Sequence, residues 1–129
     1  MQSVKNPVTS RGRDKHVIAV LVVADTIALE VVVAQQIFGP PIPSVAAITG
    51  DSESPYEVVL CGDERRHVLR PGLDVGELSS LQVMASADTV IVPGVEDPLA
   101  KRNEAVLCAL RQGFEAGARV VSFCGGALC

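Results

Sequence analysis

The stretch that most constrains the fold is the last one, Gly117-Ala-Arg-Val-Val-Ser-Phe-Cys124-Gly125-Gly126. β-Branched Val120 and Val121 follow Gly117 and lead into a cysteine backed by two glycines. A buried parallel strand ending in a sharp strand-to-helix turn has this composition. Such a turn is strained and packs close on its neighbours, so small residues flank the side chain at its apex. The pattern predicts a nucleophile elbow with Cys124 at the apex. A plain strand-end cysteine beside a Gly-Gly loop has the same local sequence, because an unpaired cysteine is often just a small core residue. The helix expected after an elbow is missing, since the sequence stops at Cys129, and the chain reads as a domain cut short.

The 129 residues are one domain or part of one. Hydrophobic residues make up 48% of the chain but aromatics only 3%, so the core must be aliphatic. A Val-rich core with 11 glycines suits parallel strands buried on both faces. A net charge of −4 argues against nucleic-acid binding by this segment. Its basic stretch, Lys5, Arg11, Arg13 and Lys15, falls in residues 1–15, which read as a disordered tail. The four cysteines form no CxxC pair and have no histidine at ligand spacing. No metal or other cofactor is therefore expected, and reduced thiols in a cytoplasm are the default. The apolar run from Val17 to Ala34 is broken by Asp25 and Glu30. An Asp at a bilayer centre costs roughly 2.5–3.5 kcal/mol, so the run reads as soluble with no membrane partner. A basic leader keeps a signal-like reading of Val17 to Ala24 open.

Val17–Val23 has the length and β-branching of a central strand. Asp25 or Thr26 should cap a helix running to Phe38 and closed by Gly39-Pro40-Pro41. That helix is apolar nearly all round except at Glu30, Gln35 and Gln36, which predicts packing on more than one side. Glu30 has two readings. It is an acid placed in a first turn by the helix dipole, worth about 0.3–1 kcal/mol, or one reaching into the crevice where open α/β sheets bind ligands. Tyr56–Cys61 predicts a second strand, with Cys61 in the core. Arg66–Arg70 and Leu73–Val75 predict two short strands, Leu78–Leu81 a single turn, and His67 a solvated surface position; His16 enters the first strand with no motif around it. A strong strand follows from Ala87 to Pro93-Gly94. Asp97-Pro98 should then start a helix to about Ala116, with Val106, Leu107, Leu110 and Phe114 inward and Cys108 on the polar side. The expected fold is α/β: a doubly wound, mostly parallel sheet in a flavodoxin-like three-layer sandwich, incomplete at its C-terminus. Glu30, Gly94 and Cys124 should meet at the sheet's carboxyl edge, with Glu30 within hydrogen-bonding reach of the thiol.

Val17–Val23, Leu29-Glu-Val-Val-Val-Ala-Gln-Gln-Ile-Phe-Gly39, Tyr56–Gly62, Ala87-Asp-Thr-Val-Ile-Val-Pro-Gly94 and the terminal stretch, in that order and spacing, resemble one family. It is the ThiJ/PfpI branch of the class I glutamine amidotransferase-like superfamily. Residues 16–129 look most like the first part of the N-terminal domain of AraC-type transcriptional regulators. The resemblance implies that Cys124 is the elbow cysteine and Glu30 the acid of the first helix. It also implies that Gly94 and Gly125 supply backbone N–H groups to an anion pocket. The regulators usually carry Thr where Gly125 stands, and the family histidine and the DNA-binding helix-turn-helix units fall beyond this chain. The implied function is ligand sensing for such a regulator, with a small-molecule ligand, no nucleic acid bound by this segment, and room for a homodimer. Two alternatives stay open: a cysteine-dependent hydrolase or hydratase (amidase, isonitrile hydratase or deglycase-like), or the non-functional remnant of a truncated gene.

Overall fold

The computed structural model describes residues 14–124. Gly125 and most of the expected tail lie outside the described residues. The elements are β1 (His16–Val22), α1 (Ala28–Phe38), α2 (Pro43–Thr49), β2 (Tyr56–Gly62), β3 (Val68–Leu69) and β4 (Leu73–Asp74). They continue with β5 (Ser79–Ser80), α3 (Val83–Ser86), β6 (Thr89–Val92), α4 (Glu104–Glu115) and β7 (Arg119–Ser122).

Five strands form one parallel sheet in the order β5-β2-β1-β6-β7, while β3 and β4 make a separate antiparallel hairpin. β1 lies at the centre because both of its faces are apolar. Ile18, Val20 and Val22 pack towards α1 with Ala34 and Val31. Ala19, Leu21 and Val23 pack towards α3 and α4 with Met84, Val106 and Ala109. Alternation of side chains along a strand thus assigns helices to both faces. This is a three-layer, doubly wound α/β sandwich.

Cys61 is completely buried, and burial pushes its thiol up to about 12. At pH 8 iodoacetamide is expected to alkylate exposed Cys108 within minutes and to spare Cys61 until the protein unfolds. Peptide mass spectrometry reads both sites, and equal labelling of Cys61 in the folded state would contradict its burial.

Several local expectations give way to tertiary contacts. Neither Asp25 nor Thr26 caps α1; the N-cap is Ile27, with no side-chain cap bond. The Thr26 hydroxyl instead accepts the Val23 N–H at 2.8 Å, closing the turn at the end of the β1 run. Asp97 does not start α4 either. Its carboxylate accepts the N–H of Leu99, and the helix begins at Glu104, where Asn103 caps the Ala105 N–H at 2.8 Å.

Ser79–Ser80, expected as part of a turn, pairs in parallel with Cys61–Gly62. On α4 the buried face runs through Val106, Ala109 and Gly113, and Phe114 is 67% exposed. The reason is the close approach of α4 to α3: a Cβ on Gly113 would lie 2.9 Å from the Met84 carbonyl oxygen. The helices meet where there is no side chain, which turns Phe114 outward. Helix α1 also departs from expectation, burying Val31 and Ala34 while Leu29, Val33 and Ile37 form an exposed stripe. By length and apolarity residues 28–49 would suffice to cross a membrane. The stretch is two helices, however, parted by Gly39–Ile42.

Candidate functional site

The strand order reverses between β1 and β6, and the loops leaving those two strands meet there, where a crevice is expected in such sheets. Open α/β sheets bind ligands at such a switch point. The two loops are joined backbone to backbone. The Ile27 N–H donates to the Gly94 carbonyl at 2.9 Å, the Glu96 N–H donates to the Asp25 carbonyl at 2.9 Å, and Thr26 bridges Val95 in antiparallel fashion. This seam sets the start of α1 beside Gly94, so Glu30 in the first turn faces the loop after β6. Its Oε1 accepts the Gly94 N–H at 2.6 Å.

Cys124 arrives from the other side. The β6–β7 ladder runs through Val92–Ser122, and one further bond, Phe123 N–H to the Val92 carbonyl at 3.0 Å, carries it to the threshold of Cys124. Cys124 has φ 49°, and among the described residues it is the non-glycine with positive φ. A side-chain-bearing residue held there is strained, and such strain clusters at functional sites. Cys124 is exposed, so the thiol is open to reagents.

Gly94 stands between the two. A Cβ at this position would lie 3.0 Å from Glu30 Oε1 and 3.2 Å from Cys124 Cβ. The structure therefore brings Glu30, Gly94 and Cys124 together, with Gly94 a close-fitting spacer between them. Among the described residues no hydrogen bond joins Glu30 to Cys124; one carboxylate oxygen, Oε1, accepts the Gly94 N–H. In this arrangement that N–H anchors the acid. The anion-pocket role of Gly125 falls outside the described residues.

Two histidines sit elsewhere. His16 Nε2 is 2.7 Å from Thr89 Oγ1 at the amino end of the sheet and stacks edge-on with Tyr56. His67 is not a solvated surface residue: its side chain is 13% exposed, with Nε2 2.9 Å from Asp63 Oδ1. Beyond the crevice an open groove of about 560 Å³ runs past Asp63, Ser79, Cys108 and Gln112 and touches none of the three site residues. Among the described residues no His, Cys, Asp and Glu group could hold a metal ion.

The sequence reading missed the ion pair beside the site. Asp25 Oδ1 receives Arg102 Nη1 at 2.8 Å, Oδ2 receives Nη2 at 3.1 Å, and Oδ2 also accepts the Asp97 N–H. Hydrogen bonding from Arg102 holds the Asp25 carboxyl below the usual carboxylate range, and the Asp97 N–H adds to this, against an upward push from burial. A folded value below the unfolded one, near 3.9, means stability that is fully present above pH 4 and lost as pH falls through the lowered value. Acid unfolding followed by circular dichroism is expected to start at higher pH in the wild type relative to its own neutral-pH stability than in Asp25→Asn. Equal pH slopes would mean the pair contributes nothing. No local signal marks this partnership, because the residues are 77 positions apart.

No family model and no curated protein matches the chain. Solved structures do match, and two of them are informative. One is a proposed transcriptional regulator protein from Vibrio parahaemolyticus, with a TM-score of 0.65 at 14% identity over 88% of this chain and 58% of that one. The other is a cysteine-to-alanine mutant of a DJ-1 superfamily protein from Salmonella typhimurium, with a TM-score of 0.53 at 18% identity over 83% of this chain and 54% of that one. The chain thus spans little more than half the length of the proteins it resembles. Its fold is the flavodoxin-like α/β fold of the DJ-1/ThiJ type.

Proposed function

We propose that this chain is the ligand-sensing part of a regulator domain of the ThiJ type, the N-terminal domain of an AraC-type transcriptional regulator. The observation that carries the reading is the Glu30–Gly94 bond. It closes the N–H that an acyl-transfer enzyme would keep open for a developing oxyanion. The crevice then recognises a small polar molecule that competes with Glu30 or binds beside it, with Cys124 as part of the wall. The net charge of −4 fits a segment that leaves DNA to other parts of a regulator. The exposed stripe Leu29, Val33 and Ile37 fits a homodimer, and the free thiols fit a cytoplasmic protein.

The second reading is a cysteine-dependent hydrolase or hydratase, and one observation favours it: the strained, exposed elbow geometry of Cys124. A thermal-shift screen of small amides, aldehydes and carboxylic acids separates the two. Sensing predicts a ligand that raises the melting temperature of the wild type and of Cys124→Ala alike, with no turnover. Consumption of any of these compounds that Cys124→Ala abolishes would overturn sensing and establish the enzyme.

A further inference from the structure

A bidentate ion pair, Asp25 with Arg102, stands beside the two loops that carry the candidate site. The loops from β1 and β6 carry Glu30 and Gly94, and their seam ends at Asp25 and Glu96. Beyond the seam the β6 loop wanders through residues 97–103 without regular structure before α4 begins. Arg102 ties this loose segment back. It grips Asp25 with both terminal nitrogens and also donates to the Asp97 carbonyl. It lines one small gap together with Thr26, Val95 and Val106, directly beside the seam. The side chains of Arg102 and Asp25 are only 11% and 27% exposed, so water screens the pair less than it would a surface contact. A planar guanidinium matched to a carboxylate constrains direction as well as distance, which a lysine cannot do.

We infer that Asp25 and Arg102 are positioning residues for the candidate site: their bidentate pair holds the Gly94 N–H against Glu30, and so holds the Glu30 carboxylate beside Cys124. The inference rests on the reading of Glu30, Gly94 and Cys124 as one site. Neither Asp25 nor Arg102 need touch a ligand. Releasing the pair frees residues 97–103, loosens the seam at Val95 and lets Gly94 part from Glu30. The Glu30 side chain is then no longer fixed beside Cys124.

The test is the rate at which iodoacetamide alkylates Cys124 at pH 7.5, read by peptide mass spectrometry so that other cysteines do not interfere. Each variant is measured well below its melting temperature. Glu30→Gln is expected to react roughly three- to tenfold faster than wild type, because a neutral amide accepts the Gly94 N–H less strongly than a carboxylate and holds the packing around Cys124 less firmly. Asp25→Asn and Arg102→Met are expected to move in the same direction and to add nothing when combined with Glu30→Gln. Arg102→Lys should stay closer to Arg102→Met than to wild type. A core variant such as Met84→Ala should leave the rate within twofold, which separates positioning from general loosening. If Glu30→Gln alone leaves the rate unchanged, the site reading fails and the inference with it. If Glu30→Gln is faster while Asp25→Asn and Arg102→Met match wild type, or add to it independently, the site stands and the positioning role is overturned.

Discussion

Gly94→Val is expected to take the candidate site apart. Its cost is steric, because Gly94 is not among the glycines with positive φ. The first added carbon would already press on Glu30 Oε1 at 3.0 Å, Cys124 Cβ at 3.2 Å and Ile27 Cδ1 at 3.3 Å. Valine adds two more carbons to a buried point where even one already presses on its neighbours. Overpacking of this kind costs about 1–3 kcal/mol, measurable as a fall in the urea midpoint. The larger effect is local: Glu30 must leave the Gly94 N–H, and any ligand bound in the crevice should lose at least about tenfold in affinity, or about 1.4 kcal/mol. Gly94→Ala should do the same to a smaller degree, since its neighbours need yield only a few tenths of an ångström. A valine variant with wild-type stability and unaltered Cys124 alkylation would show that the three residues are not packed together.

Met84→Ala is expected to cost the most in stability. Met84 is fully buried in α3 and lies beneath α4 in the larger core cluster. Methionine-to-alanine changes in such positions cost about 2–5 kcal/mol, because a cavity is left where the neighbours cannot close in. Phe114→Ala makes the informative contrast. An inward Phe114, as helical periodicity implies, would cost about 3–5 kcal/mol on truncation. An exposed one should change stability by no more than about 0.5 kcal/mol. Urea unfolding of both variants decides between these pictures, and a heavy loss for Phe114→Ala would restore the periodicity reading.

The elements legible in the sequence were those whose cause is local. Val17–Val23, Tyr56–Cys61 and the run to Val92 are apolar and β-branched, and a strand buried on both faces needs nothing else. Gly117 with φ 101° ends α4 where a glycine was needed, and Cys124 at the end of the β7 run holds a positive φ. The meeting of Glu30, Gly94 and Cys124 follows from their places at the carboxyl ends of parallel strands.

What the tertiary structure alone decided were the choices between partners of similar strength. Asp25 and Asp97 each look like helix caps, and a cap is worth about 1 kcal/mol. An arginine 77 residues away offers Asp25 as much or more, and only folding brings it near. The same holds for Gly113, whose missing side chain let two helices close together and turned Phe114 to solvent. It holds for Glu30, expected against the thiol and found on the Gly94 N–H. A sequence records which groups can bond; which of them do is settled by distances that exist only once the sheet has formed.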